Sequence, residues 1–182
     1  MRSANTELFS FITWTSVGLM GAAATVAGQN LGARRPDRAL HGVHAAATVG
    51  LGLAAAIGVL FITIPRSLLS LFGMTDPVVV GLGVQLLGFL SVSGLFVTVA
   101  LTYTGGLQGT GDTRSPLYIS IASQIVVPLG LCTLFQATRG LRPADIWAAI
   151  LLGHMTRCAL SVLRFRQGKW RSIRVEVEPA RP

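Results

Sequence analysis

Charge is missing from most of this chain in long blocks, and that limits the folds open to it. Between Glu7 and Arg34 lie 26 residues without Asp, Glu, Lys or Arg; the runs from Arg38 to Arg66, Asp76 to Asp112 and Arg114 to Arg139 hold 27, 35 and 24. About 20 apolar residues carry a helix across hydrocarbon. A fifth run, Asp145 to Arg157, holds only 11. It continues as CALSVL to Leu163 and spans if Arg157 is tolerated, at a cost of about 3 kcal/mol, less where the side chain snorkels. A water-soluble core is the alternative, and it fails on size. Of 182 residues 51% are hydrophobic and 12% charged, with mean hydropathy +0.62. Soluble domains carry about 25% charged residues, and a chain this short leaves much of its apolar surface uncovered. The expected fold class is all-α, a polytopic integral membrane bundle of about five transmembrane helices.

The expected organisation is a short N-terminal segment over 1–7, a bundle over 8–163, and a basic tail over 165–182. The spans are placed near 8–30, 39–64, 78–104, 116–137 and 144–164. Pro36, Pro77, Pro116 and Pro143 each stand just ahead of an apolar run, where the missing proline N–H costs nothing. Asp76 and Ser115 are candidate N-caps. Asp37 and Asp145 fall in first turns, where the helix dipole favours negative charge. Pro65 closes the second span, and Pro128 is expected to distort the fourth. The first run is read as a span and not as a cleaved leader, because it is long and headed by Glu7. Residues 65–76, PRSLLSLFGMTD, read as a half-buried interfacial helix with Leu68, Leu69, Leu71 and Phe72 on its apolar face.

The net charge of +8 does not form one basic face, so nucleic acid is not an expected partner. Five spans put ten bases at one end of the bundle and four at the other, with Arg157 inside a span. The positive-inside rule then puts the C-terminus in the cytoplasm and the N-terminus outside, in the cell membrane. Trp147 and Trp170 fall near opposite ends of the last span, as interface anchors.

The stretch GGLQGTGDTRSP (105–116) has the glycine spacing of a phosphate loop, but Asp112 stands where the lysine is needed and would repel phosphate. The stretch is read instead as a tight turn at the cytoplasmic end of the third span. Cys132 and Cys158 lack metal spacing and read as small core residues. There is no nucleophile–base pair, no paired carboxylate and no metal ligand set, so no enzyme, metal or cofactor is expected. Along the second span Gly42, Ala46, Gly50, Ala54 and Gly58 recur every four residues. In lipid, helices associate by close packing, and a small-residue stripe permits it. Ala24 and Gly28 make a shorter stripe on the first span.

Two motifs act together. GQNLGARRPDRA (28–39) ends the first span and LQGTGDT (107–113) follows the third; each is a glycine turn followed by arginine and a helix-starting proline. In this order and at this spacing they resemble the multidrug and toxic compound extrusion (MATE) family of secondary transporters. Gly28, Gln29, Asn30, Gly32 and Arg34 carry the first turn; Gly106, Gln108, Gly109, Gly111 and Asp112 carry the second. The resemblance covers residues 8 to about 174 and implies the C-terminal half of such a protein without its first helix. It implies efflux of small cationic or amphipathic substrates in exchange for Na⁺ or H⁺. The cavity would then need a missing N-terminal half or a partner chain. A related lipid-precursor or polysaccharide flippase, and a non-transporting remnant or assembly subunit, are the alternatives.

Polar and aromatic groups inside spans are the substrate-cavity candidates: Gln85, Gln124, Phe89, Phe96 and Met20. Gln29, Asn30 and Gln108 are expected to satisfy carbonyls at helix ends. His41 and His44 are expected to be solvated at the interface, and His154 with Arg157 to make a helix-to-helix contact.

Overall fold

The computed structural model describes residues 4–71 and 73–173. The side chains of residues 4–13, 15 and 139 lie outside that description, so the readings on Glu7, Phe72 and the tail from 174 onward fall outside it. Among the described residues seven α-helices follow one another: α1 (Ala4–Gly32), α2 (Pro36–Thr63), α3 (Pro65–Leu71), α4 (Pro77–Gly109), α5 (Arg114–Ile121), α6 (Val127–Arg139) and α7 (Pro143–Arg166). A π-helical stretch, Ala122–Val126, joins α5 to α6, and a 3-10 turn, Lys169–Ser172, follows α7. Among the described residues four helices are long and apolar enough to cross a membrane: Pro36–Thr63, Pro77–Gly109, Arg114–Thr138 and Pro143–Arg166. α1 adds another long helix of 29 residues. Large apolar side chains face outward along these helices, among them Val49, Ile62, Val78 and Leu129, each more than half exposed. That surface suits lipid and not water.

The helix starts follow the chemistry of their first residues. Pro36, Pro77 and Pro143 open α2, α4 and α7. Asp76 caps α4, accepting the N–H groups of Val78 (2.8 Å) and Val79 (3.1 Å). Asp145 accepts the Arg142 N–H at 3.2 Å, closing the first turn of α7. Ser115 is no cap. α5 begins one residue earlier, at Arg114, and Ser115 donates both its N–H and its hydroxyl to Asp112, at 3.1 and 2.9 Å. The longer aspartate side chain reaches forward over the turn and does the work assigned to serine.

The two glycine turns end their helices in the same way. After α1, Arg35 N–H reaches Asn30 O at 2.8 Å and Arg34 N–H reaches Leu31 O at 2.9 Å. After α4, Asp112 N–H reaches Leu107 O at 2.9 Å and Gly111 N–H reaches Gln108 O at 3.0 Å. Both are Schellman motifs, which need a left-handed residue just past the helix. Gly111 supplies it in one turn (φ 90°), and Arg34, not a glycine, supplies it in the other (φ 58°).

α4 is the central post and touches α1, α2, α3, α5 and α7. Its C-terminal end departs from the turn reading. Gly105, Gly106 and Gly109 lie inside α4, not in the turn, and they are where other elements come closest. A Cβ on Gly105 or Gly109 would strike the carbonyl oxygen of Met20 or Ala24 on α1. A Cβ on Gly28 would lie 2.8 Å from Gly109 O. One on Gly106 would lie 2.9 Å from Val43 and 3.1 Å from Phe165. The spacing Gly105-xxx-Gly109 is thus a helix-crossing device. Lower on the same interface, Ser16 and Thr98 share a buried hydrogen bond of 3.0 Å.

The stripe on α2 packs on two neighbours. Gly42 abuts Val26 of α1, Gly50 lies between Leu19 of α1 and Thr98 of α4, and Gly58 meets the Ser91 backbone of α4. Gly50, Ala54 and Gly58 are buried, and Ala46 is half-buried. α3 turns Leu69 inward against Gly83, in a cluster with Phe61, Leu87 and Leu90, while Leu71 points outward. At the far side, Pro128 has no N–H to return to the π-helical stretch. The Ser123 carbonyl there faces Gly153 of α7, where a Cβ would lie 2.6 Å away.

Glycine-to-alanine changes separate contact from conformation. Gly109→Ala is expected to destabilise the bundle by about 1–3 kcal/mol, the usual cost of forcing a methyl into a packed interface. Gly88→Ala, on the same helix in open space, is expected to be close to neutral. Thermal unfolding in detergent, followed by tryptophan fluorescence, measures both.

Candidate functional site

The residues singled out as cavity candidates do not meet at one point. Gln85, Phe89 and Phe96 fall on one face of α4. Gln85 is exposed and the other two are half-buried. Phe89 meets Trp147 of α7, ring centroids 5.7 Å apart. Gln124, in the π-helical stretch, lies 3.5 Å from His154 Nδ1 of α7. Met20 lies on α1, its carbonyl against Gly105. The structure therefore places Phe89 and Gln124 along α7, two turns apart on that helix, and leaves Met20 on the opposite side of α4.

α7 carries a buried ridge at four-residue spacing: Ala149, Gly153, Arg157, Ser161 and Phe165. Ala149, Ser161 and Phe165 are fully buried, and Arg157 is half-buried among them. Neither Arg157 Nε nor Ser161 Oγ has a hydrogen-bond partner among the described residues. Of the expected pair of His154 and Arg157, His154 makes its polar contact across to Gln124.

The strongest polar constellation lies at the arginine-rich end. Asp112 is 6% exposed. Arg164, in the last turn of α7, donates to its Oδ2 from Nε at 2.9 Å and from Nη2 at 2.8 Å. With the two bonds from Ser115, one carboxylate ties the α4–α5 turn to the end of α7. Burial pushes the Asp112 carboxyl up, but the hydrogen bonds from Ser115 and Arg164 outweigh it and hold the group below the ordinary carboxylate value. Sequence reasoning missed this pair, because 52 residues separate its members. The available signal was depth: Asp112 just precedes one span, and Arg164 ends the span beside it.

Beside this pair lies an aromatic stack. Tyr103 meets Phe165 edge to face at 5.4 Å, and Phe165 stacks on Trp170 at 4.8 Å and 13°. Trp170 donates its indole N–H to Phe165 O at 2.8 Å and is 1% exposed. It is thus a packed residue and not a free interface anchor. His44 meets Tyr103 at 5.8 Å and Phe165 at 6.4 Å, so it is half enclosed by rings. His41 is exposed, with Nδ1 2.7 Å from Asp37 O. Of the amides at the helix ends, Asn30 donates to Val26 O at 2.8 Å. The Gln29 and Gln108 side chains are exposed and make no hydrogen bond among the described residues. Gly32, like Gly88, has open space around it. Arg171 reaches Asp37 at 3.3 Å, tying the 3-10 turn to the start of α2. The residues just past α7 therefore fold back onto the bundle.

Comparison with known proteins decides the family. The MatE family model matches residues 3–134. The chain belongs to the MatE family. It is 34% identical over 155 residues to the probable multidrug resistance protein NorM of Deinococcus radiodurans, covering 81% of this chain and 33% of that protein. It is 30% identical over 152 residues to the multidrug resistance protein MdtK of Pectobacterium atrosepticum, again covering 81% of this chain and 33% of the relative. The fold is similar to that of the eukaryotic MATE transporter AtDTX14, with a TM-score of 0.80 at 20% identity, over 93% of this chain and 38% of that one. The chain thus spans about a third of the length of the relatives it matches.

The Asp112 pair has a testable pH signature. A carboxylate with a lowered folded pKa contributes stability in full above its unfolded value, near 3.9, and loses it as pH falls through the folded value. Asp112→Asn is expected to cost about 1–3 kcal/mol at neutral pH, below the figure for a fully buried pair because Arg164 is 26% exposed. The gap between wild type and variant should close as unfolding is measured at progressively lower pH in the acid range.

Proposed function

We propose that this chain acts as the C-terminal part of a secondary-active exporter of small cationic or amphipathic compounds, driven by inward Na⁺ or H⁺. Membership of the MatE family carries this reading, supported by 34% identity to a protein named for multidrug resistance. In this reading the chain is one lobe of a two-lobed transporter in the cell membrane. Its N-terminus faces outward and the arginine-rich end lies in the cytoplasm, as the positive-inside rule favours. The two lobes rock about a cavity, and the α1–α4 crossing keeps this lobe rigid while they do. The remaining helices come from a longer chain or from a partner chain. The face of α4 bearing Gln85, Phe89 and Phe96 lines the cavity. Neutral amides and aromatic faces there meet a cation without a large desolvation penalty.

The test is dye transport in proteoliposomes with an imposed Na⁺ or H⁺ gradient. One sample holds the chain alone, and another holds it with a segment supplying the remaining helices. Gradient-dependent efflux is expected only in the second sample. Gln85→Ala should lower that efflux severalfold with protein level unchanged. If the complemented sample moves no dye under either gradient, the reading as an antiporter lobe is wrong and a non-transporting assembly role is favoured.

A further inference from the structure

A groove of about 440 Å³ opens where α2 begins and α7 ends. Its wall includes Leu40, His44, Phe165, Arg166, Trp170 and Arg171. The floor is rigid: Phe165 and Trp170 are stacked and almost fully buried, and the indole N–H is already committed to a backbone carbonyl. Gly168 turns the chain back with φ 71°. That return brings the Arg171 guanidinium over the Trp170 ring, 5.5 Å from its centroid. Arg166 stands on the same wall. It is exposed and makes no ion pair or hydrogen bond among the described residues. Among the described residues Arg171 has one carboxylate neighbour, Asp37, which is 77% exposed and outside the wall. Among the described residues the wall itself holds two guanidinium groups and no acid.

Depth along the helices sorts the two ends of the groove. Leu40 lies in the second turn of α2, and Phe165 in the last turn of α7. The groove is therefore lined by Leu40, Phe165 and His44 at its inner end and is cationic where the helices leave the hydrocarbon. Arg34, Arg35, Arg38 and Lys169 stand on neighbouring turns and add to the positive field. A ligand for such a site has an apolar stem and a phosphate head with net negative charge. Guanidinium groups hold phosphate oxygens in paired hydrogen bonds, and basic pockets between spans are suited to acidic lipid heads. We propose that this groove binds the phosphate of an anionic glycerophospholipid. The proposal rests on the membrane location of the bundle, not on the transport reading, so either can fail alone.

The experiment is native mass spectrometry of the intact chain released from detergent. Palmitoyl-oleoyl phosphatidylglycerol is titrated against the phosphatidylcholine of the same acyl composition. Wild type should retain the anionic lipid severalfold better than the zwitterionic one. The double variant Arg166→Gln with Arg171→Gln should lose that preference. Arg166→Lys with Arg171→Lys should keep most of it, which separates charge from folding. Arg66→Gln, at the other end of the bundle, should leave it intact. Equal retention of the two lipids by wild type, or a preference that survives the glutamine pair, overturns the proposal. So does displacement of phosphatidylglycerol by an equal concentration of inorganic phosphate, which would make this a site for the free ion.

Discussion

Two carbonyl oxygens of α1, those of Met20 and Ala24, lie where side chains would otherwise stand on α4, and Gly105 and Gly109 are what let them. Much of the bundle depends on that crossing. Lipid tails are as apolar as leucine, so no hydrophobic effect draws the two helices together, and close van der Waals contact must do it. The crossing brings Gly28 onto Gly109 and leaves room beside Gly106 for Val43 of α2 and Phe165 of α7. Three helices thus meet around one glycine-rich turn of α4. The hydroxyls of Ser16 and Thr98 continue the contact deeper in the same interface.

Charge is used at the ends of this bundle to fix what packing brings near. Asp112 and Arg164 join the α4–α5 turn to α7, and Asp37 and Arg171 join the start of α2 to the 3-10 turn. Only the first pair is sheltered. Its carboxylate is 6% exposed, whereas the Asp37 side chain is 77% exposed. An exposed pair of that kind contributes about 0–1 kcal/mol, so Asp112 is the electrostatic tie that matters. Arg157 is the exception within the spans. It stands half-buried on the ridge of α7, with Nε unpartnered among the described residues.

The helices were legible because their signals are local. Uncharged runs, prolines at first positions and aspartates in first turns each act within a few residues, and α2, α4 and α7 start where Pro36, Pro77 and Pro143 say they should. What was misread is non-local. Gly105, Gly106 and Gly109 looked like turn residues because glycine serves both turns and close packing, and only the neighbouring helix tells them apart. The four-residue spacing of Gly105 and Gly109 was the available clue, the same spacing that makes the stripe on α2. Trp170 looked like an interface anchor because nothing in its own neighbourhood shows that Gly168 will fold it back onto Phe165. Asp112 and Arg164 both lie at the arginine-rich end, but a shared depth does not by itself make a pair. The cavity candidates show the same limit from the other side: Gln85, Phe89 and Phe96 share one face of α4 through their spacing alone, while the neighbours of Gln124 and Met20 depend on how helices cross.

The crossing of α1 and α4 can be measured directly in the membrane. With Cys132 and Cys158 replaced by serine, cysteines at Ser16 and Thr98 take the places of two hydroxyls 3.0 Å apart. Mild oxidation in native membranes should give rapid, nearly complete intrachain disulfide, seen as a mobility shift that reductant reverses. A failure to cross-link, or bonds formed only between separate chains, would contradict a bundle built on this contact.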